Sequence, residues 1–400
     1  MTKILIANGL YSPYIGGGAE IICQNMAEGL KSKGFDVSVL TINMNRCSTK
    51  DIINGVTVYR IGYRNLYALK REHKPSKLSR LVWHCVDIYN PFIKSEINKV
   101  INTVKPDIAI THNITGFSIS IWDCLKDNNI PIIEILHDQY LRCPNSNASR
   151  NGIPCVKQCL RCKLMRLPHR KATNKVDVVV GVSKYIVTKM YSDGYFRNSR
   201  KLFVHNAQDL PSIPIKDKME TFTLGYIGSI SSVKGVSWLI ETFKSLEREI
   251  SAKLLIAGKG TNKEYMDYVK SIAGTDKNIK FLGYVKPEEF YNKIEVCVMP
   301  SLWPDTFPGV AYESCAYNVP VIASNLGGLP EIIHNKVNGL LIDPSDKVSL
   351  KQAILKLYKD NNLLSRLSQD ARQSVKEMTD VDGWLNRYVE IVESVINKNK

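Results

Sequence analysis

Two carboxylates eight residues apart, Asp305 and Glu313 within PSLWPDTFPGVAYESCAYNVPVIASNLGGLPEII, form the most specific chemistry-bearing pattern in the chain. Asp305 falls on a loop after an apolar run ending at Met299, and Glu313 lies inside the helix expected next. Both can then reach one ligand, Glu313 as a bidentate acceptor for two adjacent hydroxyls and Asp305 for a third. Vicinal hydroxyls mean a ribose or a hexose. Upstream, GYIGSISSVKG ends an apolar strand at Gly228, continues through Ser229 and brings Lys234 to the start of a helix. A lysine beside a glycine turn and a helix N-terminus suits a diphosphate; a plain helix start with an exposed lysine has the same spelling.

Other candidates sit in the first half. Gly16-Gly17-Gly18-Ala19-Glu20 follows the first apolar run and leads into a helix. Such glycines either let a phosphate approach the backbone and the helix terminus or simply make a tight turn. The run lacks the spacing of a dinucleotide fingerprint, because Ile21 stands where a further glycine is needed. His112-Asn113 follows DIAIT and His137-Asp138 follows PIIEIL, so both pairs come at strand ends. Cys143, Cys155, Cys159 and Cys162 cluster after the second pair. They read either as free thiols or as a structural zinc site. Asp380-Val381-Asp382, the one Asp-x-Asp, reads as a helix start rather than a metal site.

These residues need a scaffold that presents strand ends. Short apolar runs alternate with helical patterns throughout: KILIAN, DVSVLTI, DIAIT, PIIEIL and DVVVGV in the first half, then FTLGYIG, KLLIAG, EVCVMP, PVIAS and GLLID in the second. The alternation is that of βαβ units and parallel sheets. A chain of 400 residues exceeds what one core supports. The reading is therefore two Rossmann-like α/β domains opening a cleft at their strand ends. The first spans 1–212 and the second 213–378, joined near Pro211 and Pro214, and 379–400 forms a terminal helix carrying Trp384, Leu385, Tyr388, Ile391, Val392 and Val395 as an apolar stripe.

Charge is divided unequally. Residues 1–213 carry 30 Lys and Arg against 15 Asp and Glu, whereas 214–400 carry 24 against 23. The excess concentrates in Arg60 to Arg80, where Tyr59, Tyr63, Tyr67 and Trp83 interleave, and in Lys157 to Lys175. A basic surface with aromatic rings suits anionic lipid or a lipid-linked diphosphate, and is also what a solvated basic face looks like. No nucleic-acid-binding motif accompanies the charge. The apolar run at the amino end, Ile4 to Ala7, is too short for a signal peptide, and no stretch is apolar enough to span a bilayer. The expectation is a cytoplasmic protein, peripheral on the cytoplasmic face of the inner membrane, with its ten cysteines reduced.

With these motifs in this order, the chain resembles the retaining, nucleotide-sugar-dependent glycosyltransferases of family 4 type with the GT-B fold, of the kind used in bacterial surface polysaccharide and lipopolysaccharide assembly. The resemblance runs from GGGAE through GSISSVKG, the acid-x7-acid motif and the GG-x-PE loop to VNGLLIDPSD. It implies that Glu313 binds ribose hydroxyls, Asp305 a donor-sugar hydroxyl and Lys234 the diphosphate, with Phe307, Pro308, Gly309 and Val310 cradling sugar and phosphate. Gly16, Gly17, Gly18, Gly228 and Ser229 complete the donor contacts. His137, with Lys234 and Asp305, is placed nearest the reaction, and His112 and Asn113 on the acceptor side. The resemblance further implies a UDP- or GDP-sugar donor, no required metal, a lipid-linked saccharide acceptor and a terminal helix returning to the first domain. Ser229 stands where arginine is common and Asp305 where glutamate is usual, which removes one cation from the leaving group and shortens one carboxylate's reach. A nucleotide-sugar epimerase of similar fold and a non-catalytic nucleotide-sugar binder are the alternative readings.

Overall fold

The computed structural model describes residues 1–69, 75–150, 153–155, 157–210, 220–260 and 262–398. The expected linker prolines Pro211 and Pro214, and Lys70, Arg71, Glu72 and Lys74 of the first basic stretch, lie outside these. The chain divides into two compact units, one of residues 1–148, 155–206 and 382–400, the other of 149–154 and 207–381.

The first unit is built on β1 (Lys3–Ala7), β2 (Asp36–Ile42), β3 (Thr49–Ile53), β4 (Val56–Ile61), β5 (Ile108–Thr111) and β6 (Ile132–Leu136). After a two-stranded hairpin, β7 (Ser149–Arg150) with β8 (Ile153–Pro154), come β9 (Val178–Gly181) and β10 (Arg200–Phe203). Strand order is β10-β9-β6-β5-β1-β2-β4-β3. All pairs are parallel except β3 with β4. Buried on both faces, the central strands read as continuous apolar runs such as KILIA and VVVG, as helix-covered parallel strands must. The β3–β4 pair was not anticipated from the sequence, although its turn carries the Asn54-Gly55 hairpin signature and both residues adopt positive φ, 48° and 79°.

In the second unit β11 (Phe222–Ile227), β12 (Ala252–Ala257), β13 (Ile279–Gly283), β14 (Val296–Met299), β15 (Val321–Ser324) and β16 (Gly339–Ile342) make an all-parallel sheet ordered β13-β12-β11-β14-β15-β16. Its core joins Leu224, Leu254, Ile256, Val296, Val298 and Ile322 to Leu239, Ile240 and Phe243 of the helix Val236–Lys244. Both sheets have a switch point where chain order reverses, between β1 and β5 in one and between β11 and β14 in the other. Open α/β sheets bind ligands just beyond the carboxyl ends of strands at such a point.

The last helix, Val381–Lys398, buries Trp384, Leu385, Tyr388, Ile391, Val392 and Val395, and residues 382–400 cluster with the first unit. A side chain at Gly29, in the helix Gly18–Ser32, would meet Leu385 Cδ1 at 2.4 Å, so glycine is what allows the two helices to approach. Asp382 pairs with Lys33, and Arg200 donates to Ser394 Oγ at 3.1 Å. Trp384 is 2% exposed. Trp384→Ala should therefore cost about 3–5 kcal/mol and lower the first unit's calorimetric midpoint by roughly 6 °C or more. An unchanged midpoint would mean that the terminal helix is not integral to that core.

Candidate functional site

The predicted donor residues of the second unit gather at its switch point. Lys234 ends a short 3-10 turn, Ser232–Lys234, after β11, and Asp305 lies on the loop after β14. Their side chains meet, Lys234 Nζ donating to Asp305 Oδ1 at 2.6 Å and to Oδ2 at 2.8 Å. Ser301 Oγ donates to the same carboxylate at 3.0 Å, and the lysine lies 5.7 Å from the centroid of the Trp303 ring. This pairing was not legible in the sequence, where the residues stand 71 apart and were given separate tasks. Two of the lysine's three protons are thereby directed, leaving the third for a ligand.

Backbone constraints fix the loops around this pair. Gly235 adopts φ +72°, and a Cβ there would lie 1.9 Å from Pro300 O, so only glycine lets the Lys234 turn pack on the β14 loop. Leu302 N donates to Val233 O at 2.8 Å, a second tie between the same loops. A third loop supports Asp305 from its other side: Gly327, at φ +62°, would place a Cβ 2.2 Å from Asp305 O, and Gly328 N donates to that oxygen at 2.8 Å. The GG-x-PE motif thus holds Asp305 in place through its backbone.

Glu313 projects from the helix Gly309–Ala316. Its carboxylate folds back toward the helix start, Oε1 lying 3.4 Å from the position of a Cβ on Gly309. Burial raises its pKa, and a hydrogen bond from the Tyr291 hydroxyl opposes the rise. Pro308, the residue before the helix, supplies no side-chain cap. The amides of Gly309 and Val310 belong to the first turn, whose N–H groups have no partner within the helix, at its positive end. Phe307 is buried beneath them, its ring 5.9 Å from that of Tyr312. Gly228 adopts φ +146° and Ser229 is exposed, its carbonyl taken by the Tyr226 hydroxyl at 2.7 Å.

The glycine turn lies at the first unit's switch point. Gly16, Gly17 and Gly18 lead into a helix, Gly18–Ser32, and two of the turn's amides reach an acid of that helix, Gly17 N donating to Glu20 Oε2 at 2.7 Å and Gly16 N contributing to the same carboxylate. Burial raises the pKa of Glu20, which eases its neutralisation or displacement.

His112 and His137, from the ends of β5 and β6, form a pair: His112 Nδ1 lies 2.8 Å from His137 Nε2, with the ring planes 11° apart. Burial holds His137 down to about 4 and His112 well below its ordinary value, so both are neutral at pH 7. One ring must then donate to the other. Asn113 Nδ2 donates to Asp138 Oδ2 at 3.3 Å, and Asn113 N to Asn8 Oδ1 at 3.1 Å. Burial, with the charge of Glu20 nearby, pushes Asp138 up to about 6.

No disulfide joins any of the ten cysteines, and among the described residues no group of three or more His, Cys, Asp or Glu side chains is arranged to hold a metal ion. Cys162 contacts the sulfurs of Cys143 and Cys159, and burial pushes its thiol up to about 12. The zinc expectation for Cys143, Cys155, Cys159 and Cys162 is thus unsupported. Asp382 of the Asp-x-Asp is taken by Lys33 and Asn386.

Two predictions follow from these contacts. Asp305 is buried while Lys234 keeps 24% side-chain exposure. Asp305→Ala should therefore cost about 2 kcal/mol, read as a lower urea midpoint for the second unit; no change would mean that the pair does not hold the loops. Because His137 titrates lower in the folded than in the unfolded chain, the unfolded chain binds more protons between pH ~6.5 and ~4. Stability should fall as pH drops through that window, and His137→Gln should flatten the fall in a melting series. An unaltered slope would assign it to other groups.

Comparison with known proteins agrees with this architecture. The family described as "Glycosyltransferase Family 4" matches residues 16–210, and that described as "Glycosyl transferases group 1" matches residues 212–374. An uncharacterised 42.6 kDa protein in the cps region of Klebsiella pneumoniae is 31% identical over 330 residues, 82% of this chain and 87% of that protein. Sucrose-phosphate synthase from Thermosynechococcus elongatus superposes with a TM-score of 0.78 at 16% identity over the whole of both chains. Anabaena HepE in complex with UDP-glucose superposes at 0.72 and 16% identity, over 98% of this chain and all of that one. With both units matched in order and the strand-end residues in place, the chain belongs to the family 4 type glycosyltransferases with the GT-B fold.

Proposed function

We propose that this glycosyltransferase moves a hexosyl group, with retention of anomeric configuration, from a UDP- or GDP-sugar held by the second unit to a lipid-linked saccharide held by the first. The carrying observation is the convergence of Lys234, Asp305, Glu313 and the uncapped helix start at Gly309 on one switch point. Glu313 takes the ribose hydroxyls, the helix amides and Lys234 the diphosphate, and Asp305 orients Lys234 while accepting from the donor sugar. Lys234 and the amides stabilise charge that grows on the departing diphosphate, which is where preorganised dipoles lower a barrier. With that charge met by the protein, transfer proceeds without a divalent ion. The neutral His112–His137 pair offers a donor or acceptor at the reacting sugar, and Asn113 serves the acceptor. A role in surface polysaccharide assembly is supported by the cps-region relative, and a uridine donor by the UDP-glucose in the HepE structure.

A panel of nucleotides and nucleotide sugars, tested for thermal stabilisation, decides the donor. A ligand at a hundredfold its dissociation constant adds about 2.7 kcal/mol, roughly 5–10 °C for a domain of this size. One diphosphate nucleotide should stabilise the wild type and not Glu313→Ala. If no nucleotide stabilises the wild type, the donor site is wrongly assigned. Turnover of the donor with EDTA present and an added saccharide acceptor, followed by NMR of the anomeric proton, then tests metal independence and retention; donor conversion without any acceptor would favour an epimerase.

A further inference from the structure

The helix Lys77–Ile88 of the first unit buries Trp83 and, one turn on, Asp87. Trp83, expected on a basic aromatic surface, turns inward, and its indole donates to Tyr67 O at 3.0 Å. Asp87 is 1% exposed. Taking a carboxylate out of water is costly, and an apolar side chain would hold a helix down at less expense. The acid is therefore there to answer groups that an apolar residue cannot.

Two donors converge on it, from different strand ends. Gly116 N, in the loop after β5, donates to Asp87 Oδ1 at 2.8 Å. The Tyr140 hydroxyl, in the loop after β6, donates to Oδ2 at 2.7 Å. Burial, with the charge of Asp87, raises the Tyr140 phenol well above its ordinary value, so its proton stays in place. Burial also pushes Asp87 up to about 6, opposed by the charge of Arg166, which leaves it ionised at pH 7 and able to accept on both oxygens. Arg166 is itself 1% exposed, and its guanidinium lies 4.5 Å from the centroid of the Tyr140 ring. A second tie joins the end of the same helix to the β5 loop, Asn90 N donating to Ser118 Oγ at 2.8 Å.

These two loops carry the groups assigned above to the reacting sugar and the acceptor. The links from the anchored residues to those groups are short. Thr115 N, beside Gly116, donates to Asn113 Oδ1 at 3.0 Å, and Tyr140 N donates to Asp138 Oδ1 at 2.7 Å. Across the loops, Asn113 meets Asp138 at 3.3 Å and His112 meets His137 at 2.8 Å. One buried carboxylate thus joins two loops whose polar groups must keep their mutual geometry, while its burial keeps it out of reach of any ligand.

We propose that Asp87 is a positioning residue for glycosyl transfer, setting the spacing of the loops after β5 and β6 and through them the alignment of His137 and Asn113. The proposal rests on the transfer reading above and deepens it. A small misplacement of aligned groups slows a reaction even when the cause lies away from the reacting atoms.

The test is steady-state transfer kinetics on the full chain, comparing wild type with Asp87→Ala, Asp87→Asn, Tyr140→Phe and the Asp87→Ala, Tyr140→Phe double variant. Asp177→Ala is the structural comparator, because Asp177 holds Lys126 and Ile132 N at the amino ends of β6 and β9, away from the strand-end loops. Asp87→Ala should lower kcat roughly tenfold or more and leave the donor KM unchanged. Asp87→Asn, which keeps an acceptor for Gly116, should recover part of that loss. Tyr140→Phe should lower kcat in the same direction, and the double variant should be no slower than Asp87→Ala, since both changes break one tie. Asp177→Ala should lower the melting midpoint and spare kcat. Should Asp87→Ala not fold, Tyr140→Phe decides: amide hydrogen exchange in residues 112–118 should quicken although the substitution lies in the other loop. Unchanged kcat in the folded Asp87 and Tyr140 variants, or an equal loss in Asp177→Ala at a matched fall in midpoint, overturns the positioning role. A wild type that transfers from no nucleotide sugar defeats the transfer reading instead, so the two failures are distinct.

Discussion

Asp305 is the point on which the candidate donor site depends. Its carboxylate takes Lys234 and Ser301, and its carbonyl takes Gly328, so three loops that follow β11, β14 and β15 are held through one residue. Each loop is brought close by a backbone that tolerates no side chain, Gly235 against Pro300 and Gly327 against Asp305 itself. With both its carboxylate and its carbonyl engaged, Asp305 fixes where the Lys234 side chain points.

The first unit solves a different problem. Its strand ends gather Glu20, Asp138, Glu134 and two histidines where burial disfavours charge. The two imidazoles, His112 and His137, are thereby kept neutral at pH 7.

The glycine turn shows how a motif's spelling and its use can part. GGGAE looks like a phosphate loop because glycines and a helix N-terminus are what phosphate needs. The same amides serve Glu20, whose carboxylate reaches back three residues to Gly17 as a capping acid does. Which anion sits there is a matter of side-chain reach, and the motif alone does not specify it.

The sequence by itself determined the two α/β units and the locations of Lys234, Asp305 and Glu313, since apolar runs alternating with helical patterns specify parallel sheets and motifs after strands specify strand ends. The strands β3, β4, β10 and β13 were not read, and of these β3, β10 and β13 lie at sheet margins, where fewer apolar residues are needed. Only the tertiary structure decided what pairs with what. The Lys234–Asp305 bond, the histidine pair, the capture of the glycine turn by Glu20 and the burial of Trp83 all join residues whose approach is set by strand order and crossing helices. The cysteine spacing suggested four metal ligands, yet ligand geometry depends on where a loop's backbone runs, which spacing does not encode. The basic stretch likewise fixed the amount of charge, and packing alone turned Lys163, Arg170 and Arg197 toward one concavity.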